Sequence, residues 1–148
     1  MRALIDTNVL LDYFGRREPF FSACEKLCAM QAFGDIELWA APQSYADAFY
    51  ILRKTISSAD LQRAFTESLN FINVCKVSHE EVAEASRRSW NDYENCLIAL
   101  CAENIDADYL LTRDEDGFQA AKMPVFSPAG FFAMLESEHG LVYDVQLL

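Results

Sequence analysis

The most informative segment of the chain reads Ala3-Leu4-Ile5-Asp6-Thr7-Asn8-Val9-Leu10-Leu11-Asp12. Its first three residues are apolar and predict a short strand that ends on Asp6. In open parallel sheets, ligands bind beyond the carboxyl ends of the strands, near the point where the strand order reverses. An acid directly after a short apolar strand is therefore a candidate functional residue, although the same pattern also fits an ordinary loop acid.

Beyond this segment, short apolar runs alternate with helical patterns along the chain. Pro42 opens a helix as a first-turn proline, and Ser78 begins a capping box. Short apolar strands between helices predict an α/β sandwich with a mostly parallel sheet. We see no linker and no internal repeat, so we expect one domain over residues 1–148. The predicted strands are 3–5, 37–40, one within 71–77, 109–112 and 124–126, and the predicted helices are 20–33, 42–55, 57–71, 78–89, 96–102 and 127–138.

The composition limits the classes of function. The chain has 148 residues, of which 52% are hydrophobic and 24% charged, so it can bury a real core and is not disordered. No apolar stretch is long enough to predict a membrane span, so we expect no membrane partner. The formal net charge is −11, with 12 acids and 10 bases in residues 1–88 but 11 acids and 2 bases in residues 89–148. This excess argues against a general nucleic-acid-binding protein, unless some of the carboxylates hold a cation.

A second acid, Asp114, lies two residues beyond Thr112, where the strand at 109–112 is predicted to end. If this strand neighbours the first one, Asp6 and Asp114 point into the same crevice. Two carboxylates held close together are unfavourable unless a cation compensates them. Oxygen ligands without a nearby histidine favour Mg²⁺ or Mn²⁺ as that cation.

The chain resembles the PIN domain family, the metal-dependent nuclease fold of VapC-type toxins, over about residues 2–135. The resemblance implies a three-layer α/β/α sandwich with a parallel sheet of about five strands, and a cluster of three or four carboxylates that holds Mg²⁺ or Mn²⁺. It also implies an RNA substrate, a cognate antitoxin that blocks the acidic crevice, and a homodimer in the cytoplasm. The segments that carry it are 6–12, 44–50, 92–99 and 110–114.

The resemblance assigns catalytic and metal-binding roles residue by residue. Asp6 matches the first acid of the family, Asp47 the second and Asp114 the fourth. Asn95 stands where the family usually has its third acid, and Gly117 stands where many members have another Asp. Both positions are departures from the family pattern.

Asn95 weakens the predicted metal site, because an amide oxygen can coordinate a cation but brings no charge. Asp92 and Asp116 are candidates to replace the missing charge as metal ligands. Asp92 is equally well placed to cap the helix that follows it, and Asp116 fits an ordinary turn acid. Asp47 lies opposite the apolar stripe of its helix, so the pattern alone also fits a surface acid.

Several polar and basic residues near these acids are candidates for supporting roles. The hydroxyls of Thr7 and Thr112 can hydrogen-bond a metal-bound water, a ligand carboxylate or the nearby backbone. We include Asn8 with them as a supporting polar residue. The candidate contacts to substrate phosphates are Arg16, Arg17 and Arg113, all of which also fit solvated positions at the ends of helices or strands.

Two functions therefore remain open. The first is a Mg²⁺- or Mn²⁺-dependent endoribonuclease that is the toxin of a type II toxin–antitoxin pair. The second is a weakened or inactive PIN module with a protein- or RNA-binding role, because Asn95 replaces the third acid. A HAD-type phosphatase would need a second Asp at position 8, where Asn8 stands. The apolar segment 141–148 fits either a sheet edge or an oligomer contact.

Overall fold

A computed structural model describes residues 1–144 and shows a five-stranded, all-parallel sheet in the order β3-β2-β1-β4-β5. Each strand lies within or close to a predicted apolar run, so the predicted α/β fold with a parallel sheet is confirmed. The strands are β1 (Arg2–Ile5), β2 (Glu37–Ala40), β3 (Ile72–Val74), β4 (Tyr109–Leu111) and β5 (Val125–Phe126).

Within the described residues, seven helices connect and cover the strands, and a 3₁₀ turn, Glu115–Phe118, follows β4. Asp92 accepts a hydrogen bond from the backbone N–H of Asn95 (3.0 Å), so α6 begins before the apolar run that predicted it. Ser78 and Glu81 form the predicted capping box of α5. The helices are α1 (Thr7–Phe14), α2 (Phe21–Ala32), α3 (Pro42–Leu52), α4 (Ser58–Ser68), α5 (His79–Arg88), α6 (Tyr93–Asn104) and α7 (Pro128–His139).

The sheet separates two apolar cores, which makes the fold a three-layer sandwich. Successive strand residues point to opposite faces, so Ile5 packs with α1, α2 and α7, whereas Leu4 packs with α6. The apolar run of α6 is almost entirely buried because the sheet lies on one side of it and α5 contacts it on another. A smaller apolar cluster joins α1 to α3 and α4 through Leu11, Leu52 and Leu61.

The structure describes only part of the C-terminal segment 141–148, which is predicted to form a sheet edge or an oligomer contact. Helix α7 ends at Gly140, which adopts the left-handed conformation (φ 64°). Residues 141–144 form no strand, and the Tyr143 hydroxyl donates a hydrogen bond to Asp35 Oδ2 (2.7 Å). The remainder of the predicted segment, residues 145–148, lies outside the described residues. Within residues 1–144, no helix has both the length and the apolar character needed to cross a membrane.

Candidate functional site

The strand order reverses at β1, because β2 and β3 lie on one side of it and β4 and β5 on the other. This topology opens a crevice beyond the carboxyl ends of β1 and β4. Asp6 follows β1 directly, and Thr112, Arg113 and Asp114 follow β4. The Asp6 N–H donates to the Leu111 carbonyl (2.9 Å), which ties the two strand ends together at the floor of the crevice.

Asp6 is a buried carboxylate, 6% exposed, that is held by hydrogen-bond donors. Its Oδ1 accepts from the Thr7 N–H (2.7 Å), and its Oδ2 accepts from the Thr112 hydroxyl (2.8 Å). Burial raises the pKa of Asp6 and these donors oppose the rise, while the nearby negative charge of Asp114 adds to it. The carboxylate therefore lacks a compensating positive charge.

Thr112 connects the acids of β1 and β4. Its side chain is fully buried, and its Oγ accepts from the Asp114 N–H (3.0 Å) while its hydroxyl donates to Asp6. Asn8 donates from Nδ2 to Thr112 Oγ (3.2 Å) and to Asp6 Oδ2 (3.4 Å), and its Oδ1 accepts from the Arg113 N–H (3.1 Å). The structure thus places all three predicted supporting residues, Thr7, Asn8 and Thr112, against Asp6.

Glu94 is a site acid that the sequence analysis missed. It lies in the first turn of α6, where its Oε1 accepts from the Thr7 hydroxyl (3.3 Å), and its carboxyl lies beside that of Asp47 of α3. Partial removal from water and the Asp47 carboxylate raise the pKa of Glu94 to about 7. One available signal was an acid directly beside Asn95, at the end of the helix that faces the crevice.

Asp47 thus faces another carboxyl, although its helical position alone also fits a surface acid. It is half-buried on the side of α3 that faces α6. In the same region, the buried Ser44 shares a hydrogen bond with the Thr7 hydroxyl (2.8 Å). Asp47 and Glu94 therefore lie at one end of the crevice, and Thr7 links them to Asp6.

Asn95 and Asp114 lie together at the other end. Asn95, 8% exposed, donates from Nδ2 to Asp114 Oδ2 (3.2 Å). Asp92 caps α6, as one of its two interpretations predicts, and Asp116 is an exposed acid of the turn 115–118. Both line a surface cavity of about 380 Å³ beside Gly117. Their proposed metal-binding role stays a prediction.

The candidate phosphate ligands lie outside the carboxylate cluster. Arg113 forms a two-point ion pair with buried Asp12 (2.6 and 3.2 Å), and its guanidinium stacks on Phe20 at 4.0 Å. Arg16 (φ 48°) and Arg17 follow the C-terminal end of α1. Among residues 1–144, no Lys or Arg side chain pairs with the crevice acids, which are Asp6, Asp47, Glu94 and Asp114.

The oxygen donors of the crevice suit a hard divalent cation, although the carboxyl groups do not point at one common position. Within the described part of the chain, no three His, Cys, Asp or Glu side chains are placed to hold one ion as they stand. The donors are nevertheless carboxyl oxygens, no Lys or Arg of residues 1–144 neutralises them, and burial raises the pKa of Asp6. Oxygen ligands with uncompensated charge are what Mg²⁺ and Mn²⁺ prefer.

These features define a class, namely α/β proteins with a carboxylate-lined crevice at the strand-order reversal of a parallel sheet. The family model described as PIN domain matches residues 2–116. The chain therefore belongs to the PIN domain family, and the resemblance predicted from its four sequence segments is confirmed. Comparison with curated proteins gives no match.

Solved structures agree with this fold. VapBC-1 from nontypeable Haemophilus influenzae has a TM-score of 0.66 at 16% identity, covering 87% of this chain and 99% of that one. A toxin–antitoxin complex from Klebsiella pneumoniae has a TM-score of 0.61 at 21% identity, covering 85% and 97%. PAE2754 from Pyrobaculum aerophilum has a TM-score of 0.62 at 14% identity, covering 93% and 97%. At these identities, the similarity shows the fold alone.

Proposed function

We propose that this PIN domain is a Mg²⁺- or Mn²⁺-dependent endoribonuclease and the toxin of a type II toxin–antitoxin pair. The observation that carries the proposal is the set of crevice acids, which lie at the strand-order reversal without a protein cation. Membership of the PIN family and the likeness to toxin–antitoxin structures support it. Asp6, Asp47, Glu94 and Asp114 would hold the cation, which supplies a more acidic water and stabilises charge on a phosphodiester.

The chain's own residues prepare the crevice for this chemistry. Thr112 and Thr7 hold the Asp6 carboxylate by hydrogen bonds, so its orientation is set before any ligand binds. The pKa of Glu94 is about 7, so a cation that binds its carboxylate competes with a proton there. Arg113, Arg16 and Arg17 lie outside the cluster, where we propose that they position substrate phosphates.

The proposal is tested with Asp6→Asn, Asp47→Asn and Glu94→Gln, measured by cleavage of a mixed RNA substrate with Mn²⁺. Asp60→Asn, an exposed acid of α4, is the matched control. We expect Asp6→Asn to lower cleavage by at least about 100-fold, because it removes a charge from the metal site. Circular dichroism should show an intact fold. An Asp6→Asn protein that cleaves as well as the wild type would exclude this site as the catalytic one.

A second candidate function is favoured by Asn95, which removes one charge from the family's acid set. In this case the domain is a weakened or inactive PIN module that binds protein or RNA. Calorimetry with Mn²⁺ separates the two functions, since a binding module would show neither Mn²⁺ uptake nor metal-dependent cleavage. As a toxin, the protein would act on RNA in the cytoplasm as a homodimer, and a cognate antitoxin would cover the crevice. Size-exclusion chromatography with light scattering tests the dimer.

A further inference from the structure

The two departures from the family pattern, Asn95 and Gly117, are in direct contact. Asn95 Nδ2 donates to the Gly117 carbonyl (3.4 Å) as well as to Asp114 Oδ2 (3.2 Å). Both neighbours are acceptors, so the amide nitrogen rather than the amide oxygen must face them. An Asp at position 95 has no proton to donate when ionised, and it could make neither bond.

Gly117 provides the space for this arrangement. A Cβ at position 117 would lie 2.3 Å from Asp114 Oδ2 and 2.5 Å from Asn95 Nδ2. The backbone of Gly117 is not in the left-handed region, so the requirement for glycine is one of close approach and not of conformation. Its N–H also donates to Asp114 Oδ1 (3.3 Å).

The Asp114 carboxylate is therefore held from two sides, by Asn95 at Oδ2 and by Gly117 at Oδ1, while its own N–H is held by Thr112. We propose that Asn95 and Gly117 form a coupled pair that positions Asp114, and that Asn95 is a positioning residue rather than a weakened metal ligand. The importance of Asp114 rests on the proposed function, but the coupling itself does not.

The pair changes what holds the crevice together. An Asp at position 95 would bring a second carboxylate against Asp114, which is unfavourable unless a cation lies between them. With Asn95, the Asp114 carboxylate is held by neutral donors before any cation arrives. This protein should therefore need a divalent cation less for the stability of its site than a variant with the family's usual acid.

A double-mutant cycle on thermal unfolding in EDTA tests the coupling. Asn95→Ala removes the amide donor, and the Cβ of Gly117→Ala displaces the Asp114 and Asn95 side chains that it would meet. We expect each change to weaken the hydrogen bonds to the Asp114 carboxylate and to lower the Tm by about 2–8 °C. The double variant should fall no further than the worse single variant, because both changes disturb the same carboxylate. Asn104→Ala on the same helix and Gly130→Ala are the matched controls, which lie away from Asp114. Additive losses would overturn the proposal.

A second arm separates positioning from a merely structural role. Asn95→Asp should unfold at a lower temperature than the wild type in EDTA, and about 5 mM Mn²⁺ should raise its Tm more than that of the wild type. Equal Tm values in EDTA, or an equal response to Mn²⁺, would refute the proposal. Neither arm uses RNA, so loss of the ribonuclease assignment and loss of this coupling are distinguishable results.

Discussion

Thr112 offers a sharp test of how the crevice is organised, because one hydroxyl joins the acids of two strands. Its Oγ donates to Asp6 Oδ2 (2.8 Å) and accepts from the N–H of Asp114 (3.0 Å) and from Asn8 (3.2 Å). Thr112→Val keeps the shape of the side chain and removes only the polar atom. The substitution therefore removes the shortest donor to Oδ2 of the buried Asp6 carboxylate and leaves the Asp114 N–H without its partner.

The size of the effect follows from these contacts. A hydrogen bond to a charged group contributes about 1.5–3 kcal/mol, and leaving the Asp114 N–H unpaired adds about 1 kcal/mol, so we expect a loss of about 2–4 kcal/mol. In a domain of this length, each kcal/mol shifts the Tm by about 2–4 °C, which predicts a decrease of about 5–15 °C. Thr112→Ser retains the hydroxyl and should lose only about 1 kcal/mol, the contribution of a buried methyl group.

The assay is thermal and urea unfolding of both variants from pH 4 to 8. The Thr112 hydroxyl favours the ionised form of Asp6, so its loss raises the Asp6 pKa further above its ordinary value. The difference between Thr112→Val and wild type should thus be complete at neutral pH and should shrink in acid, as Asp6 becomes protonated. If the Val variant is as stable as the Ser variant at pH 7, the hydroxyl does not support Asp6 in the way that we describe.

Three further predictions concern the surroundings of the crevice. The pKa of about 7 at Glu94 means that the folded state keeps a proton which the unfolded state releases near pH 4.5, so the stability of the wild type falls as the pH rises between these values. Glu94→Gln removes this titration, so its stability relative to the wild type should rise over the same pH interval in thermal scans. A stability difference that does not change with pH would contradict the pKa. Arg113→Met should cost about 3–5 kcal/mol in urea unfolding, because Asp12 is 1% exposed and would lose its cation, and Asp12→Asn in the same chain should recover part of the loss. Phe118→Ala should cost about 3–5 kcal/mol because the ring is buried behind the turn that follows Asp114, and a loss below about 1 kcal/mol would show that this turn is not anchored by the core.

The fold was predictable because its signals are local. The strand at β1 is an apolar run of three residues within 2–5, and the caps of α5 and α6 are formed by side chains within three positions of the bonds that they make. The position of Asp6 followed as well, since an acid that comes directly after a parallel strand must lie at the carboxyl edge of the sheet. The limits of β3 were not predicted, because the apolar run 71–77 indicated only that it holds a strand. Its predicted run of seven residues includes only Ile72–Val74 as strand, because pairing with β2 is limited to these positions.

Glu94 was not predictable by the same reasoning. Its place in the crevice depends on Thr7 and Asp47, which are 87 and 47 positions away in the sequence and approach only after α3 and α6 pack at the crevice. The family pattern places its third acid at position 95, one residue beyond Glu94. The contact between Asn95 and Gly117 was not predictable for a similar reason. It forms only because the turn after β4 packs against the start of α6.

The acidic half of the chain, residues 89–148, has only two bases, and both pair with acids outside the crevice. Of the two bases in residues 89–148, Lys122 pairs with Glu103 and Arg113 pairs with Asp12. In each ion pair, the positive charge neutralises an acid that lies outside the crevice. Neither base therefore neutralises the crevice carboxyls, and on the proposed function a polyanion can approach them only once a cation has neutralised that charge. On the proposed function, RNA engagement should therefore rise with divalent cation concentration, whereas an ordinary basic nucleic-acid-binding surface loses affinity when the same salt is added.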